Sequence, residues 1–228
     1  MTPTRSQVTS TGPDITLPVL YPILDADLVL QEAAPGSRDR RTRLEHLACE
    51  LAEAGVTLLQ YRNKRDPDSV FLEDALVIRA AAPSIRLILN DRPPLVPLAG
   101  AQGVHVGQSD MPPAQVRALL GPHILIGLSA NTSEEVLAAD CEPVDSIAIG
   151  PIFATTSKPD TNPVVGLEGV RRARALTRKP LVAIGGITLA NAPAVLAAGA
   201  DSLAVISAVF GSSRSPAQAV KEFLAISK

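Results

Sequence analysis

Short apolar runs punctuate the chain at Leu17–Leu24, Val56–Tyr61, Ile85–Asn90, Gly103–Val106, Ile124–Ser129, Asp145–Gly150, Leu181–Gly185 and Ser202–Ser207. Each is near-continuously apolar, the pattern of strands buried on both faces of a parallel sheet. Helical spacing appears between them. Leu44, Leu47, Ala48 and Leu51 share one face over Leu44–Ala54, and Val195, Leu196 and Gly199 fit a helix ended by glycine. Asp66-Pro67-Asp68, Asp110-Met111-Pro112 and Thr132-Ser133-Glu134-Glu135 supply caps, early prolines or first-turn carboxylates that favour helix starts. Eight strand-then-helix units predict an α/β chain folded as a single-domain (β/α)₈ TIM barrel over residues 17–228, with an open doubly wound sheet as the alternative. Two stretches fall outside this rhythm. Gln31–Arg43, with Pro35, Gly36 and mixed Arg and Asp, reads as an exposed, solvated connection before the first helix, whereas Pro151–Val165 is a long polar loop of the kind that often carries function.

Composition narrows the function. With 228 residues, one barrel of roughly 200–250 residues accounts for the chain. A formal charge of −2 and 3% aromatic residues provide neither a cationic field nor stacking platforms, so nucleic acid is not an expected partner. Residues 1–16 are polar and read as a flexible extension without the apolar stretch of a secretory signal, and no run is long enough to span a membrane. Cys49 and Cys141 form no recognisable pair and read as buried, reduced thiols, consistent with a cytoplasmic protein. These features are compatible with a homo-oligomer.

In such a barrel the active site lies where the strands end, and here those ends are polar or glycine. Gln60, Arg62 and Lys64 follow period-two spacing, so an extended backbone gathers an amide and two cations suited to a diphosphate. Asp91 and Asp110 follow the third and fourth runs and could ligate one hard cation, although an Asp near a helix start is equally a cap. His105 reads as a packed, hydrogen-bonded residue. Ser129 places a hydroxyl at the mouth with no acid-His pair to make it a nucleophile. Gly185-Gly186 and Ile206-Ser207 follow the seventh and eighth runs, where backbone N–H groups commonly hold a monophosphate. Two anion sites are thus expected to face each other across one mouth.

Six segments in order, Gln60–Lys64, Asn90–Arg92, Gly103–Asp110, Gly150–Phe153 with Thr155–Lys158, Ala183–Ile187 and Ala204–Ala208, resemble those of the thiamine phosphate synthase family. The resemblance implies a transferase joining 4-amino-2-methyl-5-hydroxymethylpyrimidine diphosphate to 4-methyl-5-(2-hydroxyethyl)thiazole phosphate, with release of pyrophosphate. It further implies that Gln60, Arg62, Lys64, Asn90, Ser129 and Lys158 surround the pyrimidine diphosphate, with Arg62, Lys64, Ser129 and Lys158 as the catalytic set. Asp91 and Asp110 would hold Mg²⁺. Thr155, Ser157, Gly186, Ile206 and Ser207 would hold the thiazole phosphate. Ser157 stands where Thr is common and Asn131 where His is common. A thiazole tautomerase of the same superfamily and a non-catalytic phosphate-binding regulatory barrel are the alternatives; the tautomerase is disfavoured because the diphosphate and metal residues are present while the expected His is Asn131.

Overall fold

A computed structural model describes residues 16–31, 33–155, 163–211 and 214–226. In chain order the elements are β1 Leu20–Asp25, α1 Ala26–Val29, α2 Arg38–Glu53, β2 Leu58–Arg62, α3 Asp68–Ala81, β3 Arg86–Asn90, a 3₁₀ turn Pro93–Leu95, α4 Val96–Ala99, β4 Gly103–Val106, α5 Pro113–Leu120, β5 Leu125–Ala130, α6 Ser133–Cys141, β6 Ser146–Ile149, α7 Gly166–Leu176, β7 Leu181–Ile184, α8 Ala192–Ala197, β8 Ser202–Val205, α9 Ser207–Phe210 and α10 Pro216–Ile226. The strands are all parallel and close in sequence order, β8 returning to β1, so the fold is the expected (β/α)₈ barrel. All eight apolar runs supply a strand.

Alternation along each strand divides the core in two. Tyr21, Ile23, Leu58, Ile88, Ala148, Val182, Ala204 and Ile206 pack together in the lumen, whereas Leu24, Leu59, Tyr61, Leu89, Val104, Ile126 and Leu203 pack outward against the helices. The lumen turns polar toward the carboxyl ends: Leu58 gives way to Gln60 and Arg62 along β2, and Ile88 to Asn90 along β3. The opposite rim is braced by a device repeated at β3, β5 and β7. Leu87, Ile126 and Leu181 donate their backbone N–H to the side chains of Gln102, Asp145 and Asp201 at 2.8–2.9 Å, and Arg79, Arg117 and Arg174 of α3, α5 and α7 donate to nearby backbone carbonyls.

Two expectations are corrected. The segment read as a solvated connection up to Arg43 is already helical from Arg38, because Ser37 caps α2 by accepting the Arg40 N–H at 3.2 Å. Within it Arg40 is only 3% exposed; its guanidinium is held by Asp74 and Asp66, partners too distant in sequence for local patterning to reveal. The cysteines, expected to be buried, are both exposed free thiols. Cys49 lies on the outer face of α2, whose inner face carries Leu44, Leu47, Ala48 and Leu51, and Cys141 is the last residue of α6. Thr132 caps α6 as its sequence suggested, accepting the Glu135 N–H at 3.2 Å. Among the described residues no helix is long and apolar enough to cross a membrane.

Candidate active site

The first half of the mouth is built from the ends of β1 to β4. Gln60 is buried and donates to the Tyr21 hydroxyl at 3.0 Å. One residue pair further along β2, Arg62 is ion-paired through Nη1 with Asp25, the buried residue that ends β1 and also caps α1 by accepting the Asp27 N–H at 2.9 Å. The Arg62 Nε is buried and has no hydrogen-bond partner among the described residues. Asn90 is buried at the end of β3. The next two residues adopt left-handed backbone, Asp91 at φ 58° and Arg92 at φ 54°, uncommon for side chains of this kind. The Asp91 N–H is anchored on the His105 carbonyl at 2.8 Å, and its carboxylate meets the half-exposed Lys64 ammonium at 2.6 Å.

Asp110 reaches the same place from β4. Its carboxylate accepts the Gly107 N–H at 2.7 Å instead of capping α5, which begins after Pro112, and it lies close enough to Asp91 to perturb it. Burial holds the Asp91 carboxyl above the ordinary carboxylate range; Lys64 opposes this and Asp110 adds to it. Two neighbouring carboxylates in a partly desolvated setting attract a hard cation. Among the described residues no cluster of three or more His, Cys, Asp or Glu exists, and Mg²⁺ needs only one or two carboxylates, completing its octahedron with water and phosphate oxygens. The donor set therefore fits Mg²⁺.

The second half comes from β5 to β8. Ser129 Oγ lies 2.8 Å from His105 Nε2, and the imidazole can cross β5 because Gly127 is there: a Cβ at that position would fall 2.5 Å from His105 Nδ1. Ser129, Asn131, Gly107, Gln108 and Thr155 line a cavity of about 320 Å³. A smaller one of about 40 Å³ is lined by Thr155, Gly185, Gly186, Ile206 and Ser207, and the two share Thr155, Ile184 and Gly185 in their walls. Gly186 holds φ +63°, and a Cβ there would lie 2.7 Å from the Ala154 carbonyl oxygen, so glycine lets the β6 and β7 loops close on each other. The candidate residues thus share one rim in two groups: Gln60, Arg62, Lys64, Asn90, Asp91 and Asp110 on one side, Thr155, Gly186, Ile206 and Ser207 on the other, with Ser129 between. Ser157 and Lys158 lie outside the described residues. Asp25, the partner of Arg62 on this rim, is absent from the residues singled out in the sequence; as the charged residue directly after the first apolar run, it meets the criterion applied to the other strand ends.

The sequence profile described as thiamine monophosphate synthase matches residues 33–209. The chain belongs to this family. It is 47% identical over 213 residues to the thiamine-phosphate synthase of Koribacter versatilis, covering 93% of this chain and 97% of that one. To the thiamine-phosphate synthase of Albidiferax ferrireducens it is 46% identical over 184 residues, covering 80% and 82%. Among solved structures, the thiamine phosphate pyrophosphorylase from Pyrococcus furiosus superposes with a TM-score of 0.76 at 31% identity, covering 91% of this chain and 94% of that one. A 3-hexulose-6-phosphate synthase at 19% identity and TM-score 0.64 shares the fold alone. In this chain Asn131 is engaged by one carboxylate: Glu135 accepts its backbone N–H at 2.6 Å and its side-chain amide at 3.2 Å. An amide so held at the α6 entrance is no proton-transfer group.

Proposed function

We infer that this protein joins the pyrimidine diphosphate to the thiazole phosphate, forming thiamine phosphate and releasing pyrophosphate, the transferase reaction of its family. The observation that carries the site assignment is the meeting of Lys64, Asp91 and Asp110 on the same rim as the Gly186–Ser207 cavity. The leaving diphosphate gathers negative charge as its C–O bond breaks. Arg62 and Lys64, and Lys158 by family resemblance, bind that state more tightly than the ground state, which accelerates the step. The Arg62 Nε, buried and without a partner among the described residues, supports this role, since a phosphate oxygen would satisfy it. Mg²⁺, held by Asp91 and Asp110, supplies further charge neutralisation to the diphosphate when bound.

Ser129, fixed by His105, and the buried Gln60 and Asn90 orient the pyrimidine, whose electron-rich ring stabilises a cationic methylene carbon. Thr155, Ser157 and the backbone around Gly186, Ile206 and Ser207 hold the thiazole phosphate so that the ring nitrogen attacks that carbon. No protein nucleophile is required. The test is to incubate purified protein with both substrates and Mg²⁺ and to look for thiamine phosphate by mass spectrometry, with Asp91→Ala and Arg62→Ala in parallel. Product from wild type and severe loss in both variants are expected. Folded wild type yielding no product, or turning over the thiazole phosphate tautomer without pyrimidine diphosphate, would overturn the assignment.

A further inference from the structure

We propose that Arg92 is a positioning residue that assembles Lys64 and Asp91 into one diphosphate-binding unit without touching the substrate. Lys64 sits on the turn Asn63–Asp66, and this turn closes on itself: Asn63 Oδ1 accepts the backbone N–H groups of Arg65 and Asp66 at 3.2 and 3.1 Å. An internally closed turn still needs an anchor to hold it over the neighbouring strand. Arg92 provides it. From the residue directly after Asp91, its Nη2 donates to the Asn63 carbonyl at 3.1 Å and to the Asp66 carbonyl at 2.8 Å, bracketing Lys64 on both sides. Its Nη1 pairs with Asp68 at 3.2 Å, and the guanidinium lies 4.5 Å from the Phe71 ring centroid. Every group its guanidinium touches belongs to the loop or start of α3, and none of them lines the two cavities of the mouth.

A ring results. Asp91 holds Lys64 by charge, Arg92 holds the backbone on either side of Lys64, and Asp91 and Arg92 are consecutive residues sharing the left-handed conformation. That conformation sends the two adjacent side chains to different tasks, one into the site and one into the bracing loop. One nitrogen of the guanidinium bridges the two carbonyls while the other reaches Asp68 and the planar group rests on Phe71, so the side chain ties three parts of the loop and helix start together.

The inference rests on the diphosphate-site reading above, and a double-mutant cycle separates the two. Binding of inorganic pyrophosphate with Mg²⁺ is measured calorimetrically for wild type, Arg92→Ala, Lys64→Ala and the double variant, with thiazole phosphate binding as the control. A group acting through another loses its effect when that other is removed, so Arg92→Ala should weaken pyrophosphate binding about ten-fold beside Lys64 but less than about two-fold in Lys64→Ala. Thiazole phosphate affinity should not change. Equal losses in both backgrounds, or a parallel loss for thiazole phosphate, overturn the proposal. Wild type that binds no pyrophosphate overturns instead the diphosphate-site reading itself. Should Arg92→Ala not fold, Arg92→Met keeps aliphatic bulk against Phe71 but offers no donor to either carbonyl; the same non-additivity is expected of it, and additivity overturns the proposal equally.

Discussion

Replacing Arg40 with methionine tests whether the buried charge network beneath the Lys64 loop holds this side of the barrel. Methionine keeps most of the aliphatic volume and removes all the donors. The guanidinium is 3% exposed and makes four hydrogen bonds, three to Asp74 and one to Asp66. Its charge is held more firmly than usual, chiefly by the Asp74 hydrogen bond. After the substitution Asp74, itself buried, keeps only the Tyr61 hydroxyl, while Asp66 keeps the Asn63 amide at 2.9 Å. Removing one partner of a buried pair costs about 3–5 kcal/mol, and the surviving Tyr61 and Asn63 bonds point to the lower end, about 3 kcal/mol. For a chain of this size that lowers Tm by about 6–12 °C. Circular dichroism during thermal and urea denaturation measures both. Arg40→Met/Asp74→Asn should regain part of the loss, because the uncompensated charge is gone while an acceptor for Tyr61 remains. A loss below about 1 kcal/mol, or a double variant no more stable than the single, would refute the reasoning.

Gly186→Ala forces a left-handed alanine, costing about 1–2 kcal/mol, and pushes the Phe153–Ala154 segment off the β7 end; KM for thiazole phosphate should rise about ten-fold while KM for pyrimidine diphosphate stays, as steady-state kinetics will show. Asp25→Asn keeps the α1 cap but leaves the buried Arg62 facing a neutral amide. Pyrophosphate with Mg²⁺ should then raise its Tm more than it raises that of wild type, and equal shifts in differential scanning fluorimetry would count against Asp25 as the resting counter-ion. Asp91 holds its proton to higher pH in the fold than in the unfolded chain, so its contribution turns unfavourable as pH rises from about 4 through the raised value. Without Mg²⁺, Asp91→Asn should therefore gain stability relative to wild type across that window in urea denaturation; a growing deficit would mean that the carboxylate is stabilising instead.

The barrel was legible because each strand, buried on both faces, must be apolar throughout, and its polar end must then stand out. That rule located Lys64, Asp91, Asp110, Ser129 and Gly186. Asp25, the last residue of β1, satisfies the same rule although it was left out. The rule missed Arg40 and Asp74 for a physical reason. Their pairing joins the start of α2 to the middle of α3, and a charge that finds its partner 34 residues away leaves no mark on the periodicity of either helix. The same blindness hid the bracing contacts of Arg92, whose side-chain hydrogen bonds run to the loop before α3.

Arg62 differs from the arginines of the amino-terminal rim, and the difference bears on function. On the amino-terminal rim Arg117 and Arg174 give their N–H groups to backbone carbonyls and to Asp145 and Asp201, so their charge and donors are matched within the fold. At the mouth Arg62 has a carboxylate on one side and an idle Nε on the other, and Asp91 lies against Asp110 with its proton affinity raised. A buried donor without an acceptor and two crowded carboxylates each raise the energy of the free protein. A metal-bound diphosphate offers the missing acceptor and the missing cation together. Binding it would relieve both, so the unsatisfied Arg62 donor and the crowded Asp91–Asp110 pair support placing the chemistry at this mouth.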